Sequence, residues 1–262
     1  MYRGFNLEIS DTIDDSFSSK GKQYKDQMFE EMKERLIHFI SVDGVIDGNK
    51  VIEDWFPVIE CDIFLSHSHK DEAKAIALAG LLYENFGLKT FIDSTVWGFS
   101  DVLLKSLDDK YCKHENGTSY SYEKRNFSTA HVHLMLNSAL NKMIDSCETV
   151  LFLNTPNSIS ASDTISESTR SPWIFSELAT TQIIRKKTPQ RLKQETRTFS
   201  SKESLNESVR AQLSIEYQVE LSHFTKLDLY DIKNWINEAK YSTENPLDIL
   251  YSLHQIDNKF LI

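Results

Sequence analysis

Trp173 and Glu177 stand four residues apart, just beyond the pair Ser171-Pro172, so on a helix they share one face about a turn from its start. A carboxylate beside an indole could steady a developing positive charge; the same spacing also fits a solvated glutamate on an amphipathic helix. The stretch SHSHKDE, residues 66–72, offers His67 and His69 to a ligand. It reads too as a helix start, with Ser68 as the cap and Asp71 and Glu72 complementing the dipole. DSTVWG, residues 93–98, sets the carboxylate of Asp93, two hydroxyls and the indole of Trp97 ahead of a turn-forming glycine. That combination suits a ribose or a stacked base, and it also suits an ordinary loop with an anchoring tryptophan. Cys112, His114, His131 and His133 are all zinc-ligand types, but their spacing matches no usual zinc pattern. On one helix His131 and His133 would lie about 200° apart and could not converge on one ion, so no metal site is expected.

Side chains so far apart in the chain can meet only if the elements between them fold back on one another. Residues 61–66, CDIFLS, form a short β-prone run that leads into an apolar-rich helix over 73–86, closed by Gly87; LKTFID then reads as a second strand. Strand, helix and strand in so short a span make a βαβ unit, which places strands parallel and helices on the sheet faces. A helix from about Ser128 carries Val132, Leu136, Ala139, Met143 and Cys147 at helical steps, and TVLFLN, residues 149–154, is a buried strand. Ser171-Pro172 starts another helix, running to about Lys187, since Ser caps orphan amides and Pro at the first position has no N–H to leave unpaired. Residues 213–222 read as a fourth strand, and helices over 228–240 and 246–255 follow. In such a sheet, ligands bind at the carboxyl ends of the strands, which selects SHSHKD, DSTVWGFSD, TPNSIS and the helix start at Ser171.

Ahead of this unit the first twenty or so residues are polar and read as a loose arm. Residues 24–41 follow as an amphipathic helix, with Met28, Phe29, Met32, Leu36, Phe39 and Ile40 at three- and four-residue steps, and two Asp-Gly pairs after it signal turns. The expected division is therefore an N-terminal arm and helical extension over 1–57 and an α/β domain over 58–262. The latter is a flavodoxin-like parallel sheet of four to five strands, with insertions at about 108–127 and 155–170.

The 262 residues suffice for a sizeable core without staples. With 29 Lys and Arg against 39 Asp and Glu, the net charge of -10 argues against a general nucleic-acid binder and against a polybasic membrane-surface protein. Three cysteines at no framework spacing, no basic-then-apolar leader and no apolar run of membrane length give a cytoplasmic expectation.

DIFLSHSHKDEAKAIALAGLL, FIDSTVWG and the stretch from STAHVHLMLNSALNKMIDSCETVLFLNTPNS to SPWIFSEL together resemble the Toll/interleukin-1 receptor (TIR) domain in its bacterial form. The order and spacing agree from about Cys61 to Lys187, close to half the chain, with looser agreement beyond. The resemblance implies a flavodoxin-like sheet and, as in many bacterial and plant members, cleavage of NAD+ between nicotinamide and ribose. It implies that Glu177, in the family's Trp-x-x-x-Glu arrangement, is the catalytic glutamate. It further implies that Ser66, His67, Asp93, Trp97 and Trp173 border the substrate. NAD+ is then a substrate and no cofactor is needed. The expected assembly is a homo-oligomer through TIR–TIR contacts, with a separate effector protein sensing the product, in antiphage defence.

The chain departs from the family pattern in its N-terminal helix, its tyrosine-rich insert, its Ser-rich loop and the basic connector RKKTPQRLKQETR. Two rivals accompany the NAD+-consuming enzyme. One is a binding module that signals through TIR–TIR contacts without turnover, because fold does not determine function; the other is a metal-dependent hydrolase built on the histidines.

Overall fold

The computed structural model describes residues 1–9, 13, 15–33, 46–115, 117–161, 167–192 and 216–254. Five strands form one parallel sheet: β1 (Arg3–Glu8), β2 (Ile63–Ser66), β3 (Thr90–Ile92), β4 (Thr149–Asn154) and β8 (Thr225–Leu227), in the order β3-β2-β4-β1-β8. The α/β, flavodoxin-like architecture is as expected, but its construction differs, first of all at the N-terminus.

The first residues are not a loose arm. β1 is an interior strand, paired with β4 along its whole length, from Arg3 opposite Thr149 to Glu8 opposite Asn154, and with β8 on its other side. Its polar composition hid it: only Phe5 and Leu7 carry the apolar alternation, and both are fully buried. On the opposite face Gly4 lies under Phe224, where an added Cβ would stand 2.1 Å from a ring carbon. Counted from β2, the order runs second, first, third, then the N-terminal strand, then β8. β1 thus fills the place that the fourth strand takes in the flavodoxin order. A division at residue 57 therefore cuts one sheet in two.

Alternating side chains give the sheet two cores. Phe64, Phe91, Val150 and Phe152 face α2 (Gly48–Trp55), α4 (Ser94–Leu107), α5 (Tyr122–Ser146) and α6 (Pro172–Ile183). Phe5, Leu7, Ile63, Leu65, Leu151 and Leu153 face α3 (Glu72–Phe86), α7 (Leu229–Ala239) and α8 (Pro246–Leu253). α1 (Ser18–Lys33) packs on the outside of α3, starting earlier than expected; residues 34–41 of the expected helix lie outside the described residues.

Local signals account for other differences. Asp47-Gly48 starts helix α2 rather than a turn, because the Asp47 carboxylate caps Asn49 and Lys50 while Val51, Ile52 and Trp55 bury one face. DSTVWG is not a loop: α4 begins at Ser94, drawn into the helix by Phe99 and Leu103 on the core side. α5 begins at Tyr122, capped by Ser121, so much of the tyrosine-rich insert is helix, reached through a π-helical turn at Asp108–Cys112. The Ser-rich loop contributes β5 (Ser160–Ala161) and β6 (Glu167–Thr169), which form a small antiparallel sheet with β7 (Tyr217–Gln218). β7 is all that forms a strand, among the described residues, of the one expected over 213–222; the edge of the main sheet is β8 instead. Gly87 closes α3 at φ +69°, and Ser171 and Pro172 start α6, both as expected. Among the described residues, no helix is long and apolar enough to cross a membrane.

Candidate functional site

Ser66 ends β2 on the same face as Phe64, toward α6. α6 turns Ile174, Glu177, Leu178 and Thr181 inward, at helical spacing. Glu177 is thus a carboxylate in a core-facing row, not the solvated glutamate that its spacing also allowed. Ser66 Oγ donates a 2.6 Å hydrogen bond to Glu177 Oε2. One residue on, His67 Nδ1 lies 2.7 Å from Oδ1 of Asp93, the residue that joins β3 to α4, and 3.4 Å from the Leu65 carbonyl. The shorter, charge-assisted contact dominates. Ser66, His67, Asp93 and Glu177 are each no more than 2% exposed. They meet at the carboxyl ends of β2 and β3, beside β4, where the connections diverge.

Burial, and then the charge of the adjoining Asp93, push the Glu177 carboxyl well above the usual carboxylate range; the Ser66 hydrogen bond opposes this without reversing it. Burial disfavours the His67 imidazolium, but Asp93 outweighs it and raises the imidazole pKa. Both shifts favour the protonated forms, the imidazolium of His67 and the neutral carboxyl of Glu177, over what each group would hold in water. The Glu177 carboxyl and Asp93 lie within hydrogen-bonding reach of one another, which adds to the rise of the Glu177 pKa. Among the described residues, His67 Nε2 is buried without a hydrogen-bond partner. Native interiors seldom leave such a group unpaired, and this ring nitrogen is the one the cluster offers to a polar ligand.

A second network braces the first. The buried Asp71 accepts hydrogen bonds from Thr155 Oγ1 at 2.6 Å and Asn157 Nδ2 at 3.0 Å, tying the loop after β2 to the loop after β4. Asp71 reads in the sequence as a helix-dipole residue, and only its burial reveals the tie. Ser68 sits at the N-cap of the short helical turn His69–Asp71, but its side chain makes no capping bond.

The remaining expected residues stand differently. Trp173 is half-buried, packed on the core with its ring edge-on to His133 of α5 at 5.5 Å between centroids. Trp97 is in α4, and its side chain lies outside the described part of the structure. Among the described residues, no group of three His, Cys, Asp or Glu is placed to hold a metal ion. Two shallow hollows flank Tyr120: one of about 280 Å³ between α4, the π-helical turn and α5, lined by Asp101, Asp108 and Arg125 among others, and one of about 400 Å³ against the first turns of α5, lined by Tyr122 and Thr129 among others. Neither is lined by Ser66, His67, Asp93 or Glu177, whose cluster is closed to solvent. Set against family models, curated proteins and solved structures, the chain matches none.

Proposed function

We propose that the chain is an NAD+ nucleosidase of the TIR type, in which Glu177 faces the ribose as the bond to nicotinamide breaks. The observation that carries this reading is the buried Glu177 carboxyl, oriented by Ser66 at the carboxyl end of β2 and set beside Asp93 and His67. The sequence resemblance supplies the substrate. Nicotinamide leaves NAD+ as a neutral pyridine, so no general acid is required, and the group to be stabilised is an oxocarbenium-like ribose. A preorganised carboxylate aimed at that charge supplies much of the catalysis. In the closed cluster burial and Asp93 favour the neutral form of the Glu177 carboxyl. A cationic substrate entering beside it favours the ionised form, and the proton is released to solvent as the site opens and the substrate binds.

The products under this reading are nicotinamide and ADP-ribose or a cyclic ADP-ribose-type signal, made in immune defence, with a separate effector as the receiver and a homo-oligomer as the working form. The rival, a TIR interaction module without turnover, is favoured by the closure of the site. Purified protein at high concentration, incubated with NAD+ beside Glu177→Ala, separates them. Glu177-dependent release of nicotinamide supports the nucleosidase. Equal, background-level loss of NAD+ in both proteins, across concentrations that drive assembly, supports the module.

A further inference from the structure

α1 and α3 cross with their backbones in contact. A Cβ on Gly21 would stand 1.9 Å from the carbonyl oxygen of Ile76, and one on Gly80 would stand 2.2 Å from that of Phe17. Only glycine allows so close an approach. The crossing brings Lys25, one turn further along α1, onto Glu72, the first residue of α3, and the two form an ion pair. The same Glu72 oxygen, Oε1, accepts a 3.0 Å hydrogen bond from Ser94 Oγ. Ser94 is the first residue of α4 and directly follows Asp93 of the buried cluster.

Asp93, at the N-cap of α4, makes no capping hydrogen bond with its side chain, which is turned instead to His67. Among the described residues, the start of α4 is therefore held at two adjoining positions, from inside the cluster through Asp93 and from outside it through Ser94 and Glu72. Burial disfavours the Glu72 anion, but its bonds to Lys25 and Ser94 outweigh this, so it stands as a carboxylate between two donors. The charge of Glu72 also reaches His67, five residues before it. Since all four cluster residues are closed to solvent, a substrate can reach Glu177 only after an element at the strand ends moves. The first turn of α4, bearing Asp93, is the element whose hold depends on another helix.

We propose that α1 is a latch on the candidate site. Through Lys25 and Glu72 it holds Ser94 and the start of α4 closed over Glu177, and displacement of α1 from α3 opens the site. The mechanical tie is independent of the chemistry; its role as a gate for NAD+ rests on the nucleosidase reading.

The test uses the full chain with Lys25→Ala and, separately, Ser94→Ala. Lys25 and Ser94 are partly exposed, so both variants are expected to fold. Amide hydrogen exchange in peptides covering 93–100 is followed by mass spectrometry, with peptides of β4 as the internal reference. A latch predicts exchange faster by about fivefold at 93–100 in both variants, the scale of one exposed ion pair or hydrogen bond, with β4 unchanged. NAD+ turnover per molecule, measured alongside, rises with it. Faster exchange with no Glu177-dependent turnover in any protein keeps the latch and removes the nucleosidase. Unchanged exchange at 93–100 in both variants overturns the latch, whatever the turnover.

Discussion

Ser66 and Glu177, 111 residues apart in the chain, are joined by a 2.6 Å hydrogen bond inside the protein. A strand end and a helix are thereby locked together through the group proposed to do the chemistry. Removing the donor leaves Glu177 Oε2 buried without a partner, which costs about 1–3 kcal/mol. Ser66→Ala is therefore expected to lower unfolding free energy by that amount in urea denaturation; a change near zero would show that the hydrogen bond contributes no orientation.

Glu177 and His67 should each contribute stability that falls as pH rises. Glu177 has its pKa raised on folding, so the native state holds a proton that the unfolded state releases above about 4.5. The contribution is full below that value and is lost as pH climbs through the raised one. His67, also raised, adds a loss of the same sign beginning above its ordinary 6.5. Urea denaturation from pH 4.5 to 9, run on the native protein beside Glu177→Gln, isolates the Glu177 share of this decline. Glu177→Gln, neutral at every pH, should flatten it and be the more stable protein at the alkaline end. Parallel curves for the two proteins would contradict the burial of a titrating Glu177.

Asp93 should control the proton on His67. With Asp93→Asn, burial remains and the balancing charge is gone, so the imidazole pKa should drop below that of the native protein. Histidine proton NMR across pH 4–9 reads this directly. A His67 titration unmoved by the substitution would mean that the 2.7 Å contact does not carry the charge.

A strand in the sheet interior and a loose arm respond differently to truncation. Phe5 is fully buried, with Tyr251 stacked on it at 6.2 Å between centroids. Phe5→Ala should therefore cost about 3–5 kcal/mol, measured by chemical denaturation. An arm would lose almost nothing.

Much of the site was legible because its parts sit where strong local signals end. TVLFLN, the Ser-Pro start of α6 and Gly87 are signals carried by a few neighbouring residues, and each marks a real boundary. Ser66, His67, Asp93 and Glu177 then converge because the carboxyl ends of parallel strands lie side by side. What escaped was whatever depends on distant partners. β1 has only two apolar residues in alternation, and its identity as a strand comes from β4 and β8. The helical state of 94–98 is imposed by Phe99 and Leu103 further along. The roles of Asp71 and Glu72 depend on Thr155, Asn157, Lys25 and Ser94, none of which is a sequence neighbour.

The interior place of β1 also bears on how the molecule is made. Phe5 pairs with Leu151 on one side and with Thr225 on the other, so the strand that leaves the ribosome before the others finds its neighbours only after most of the chain has followed. At about 5–20 residues per second, that wait is many seconds long. Until residues 149–154 emerge β1 has no partner, and from then until residues 225–227 emerge the edge left open is that of β1 itself. Closure of the sheet is thus slow and non-local, and a transient pause before residue 225 would prolong the exposure of that edge to other chains.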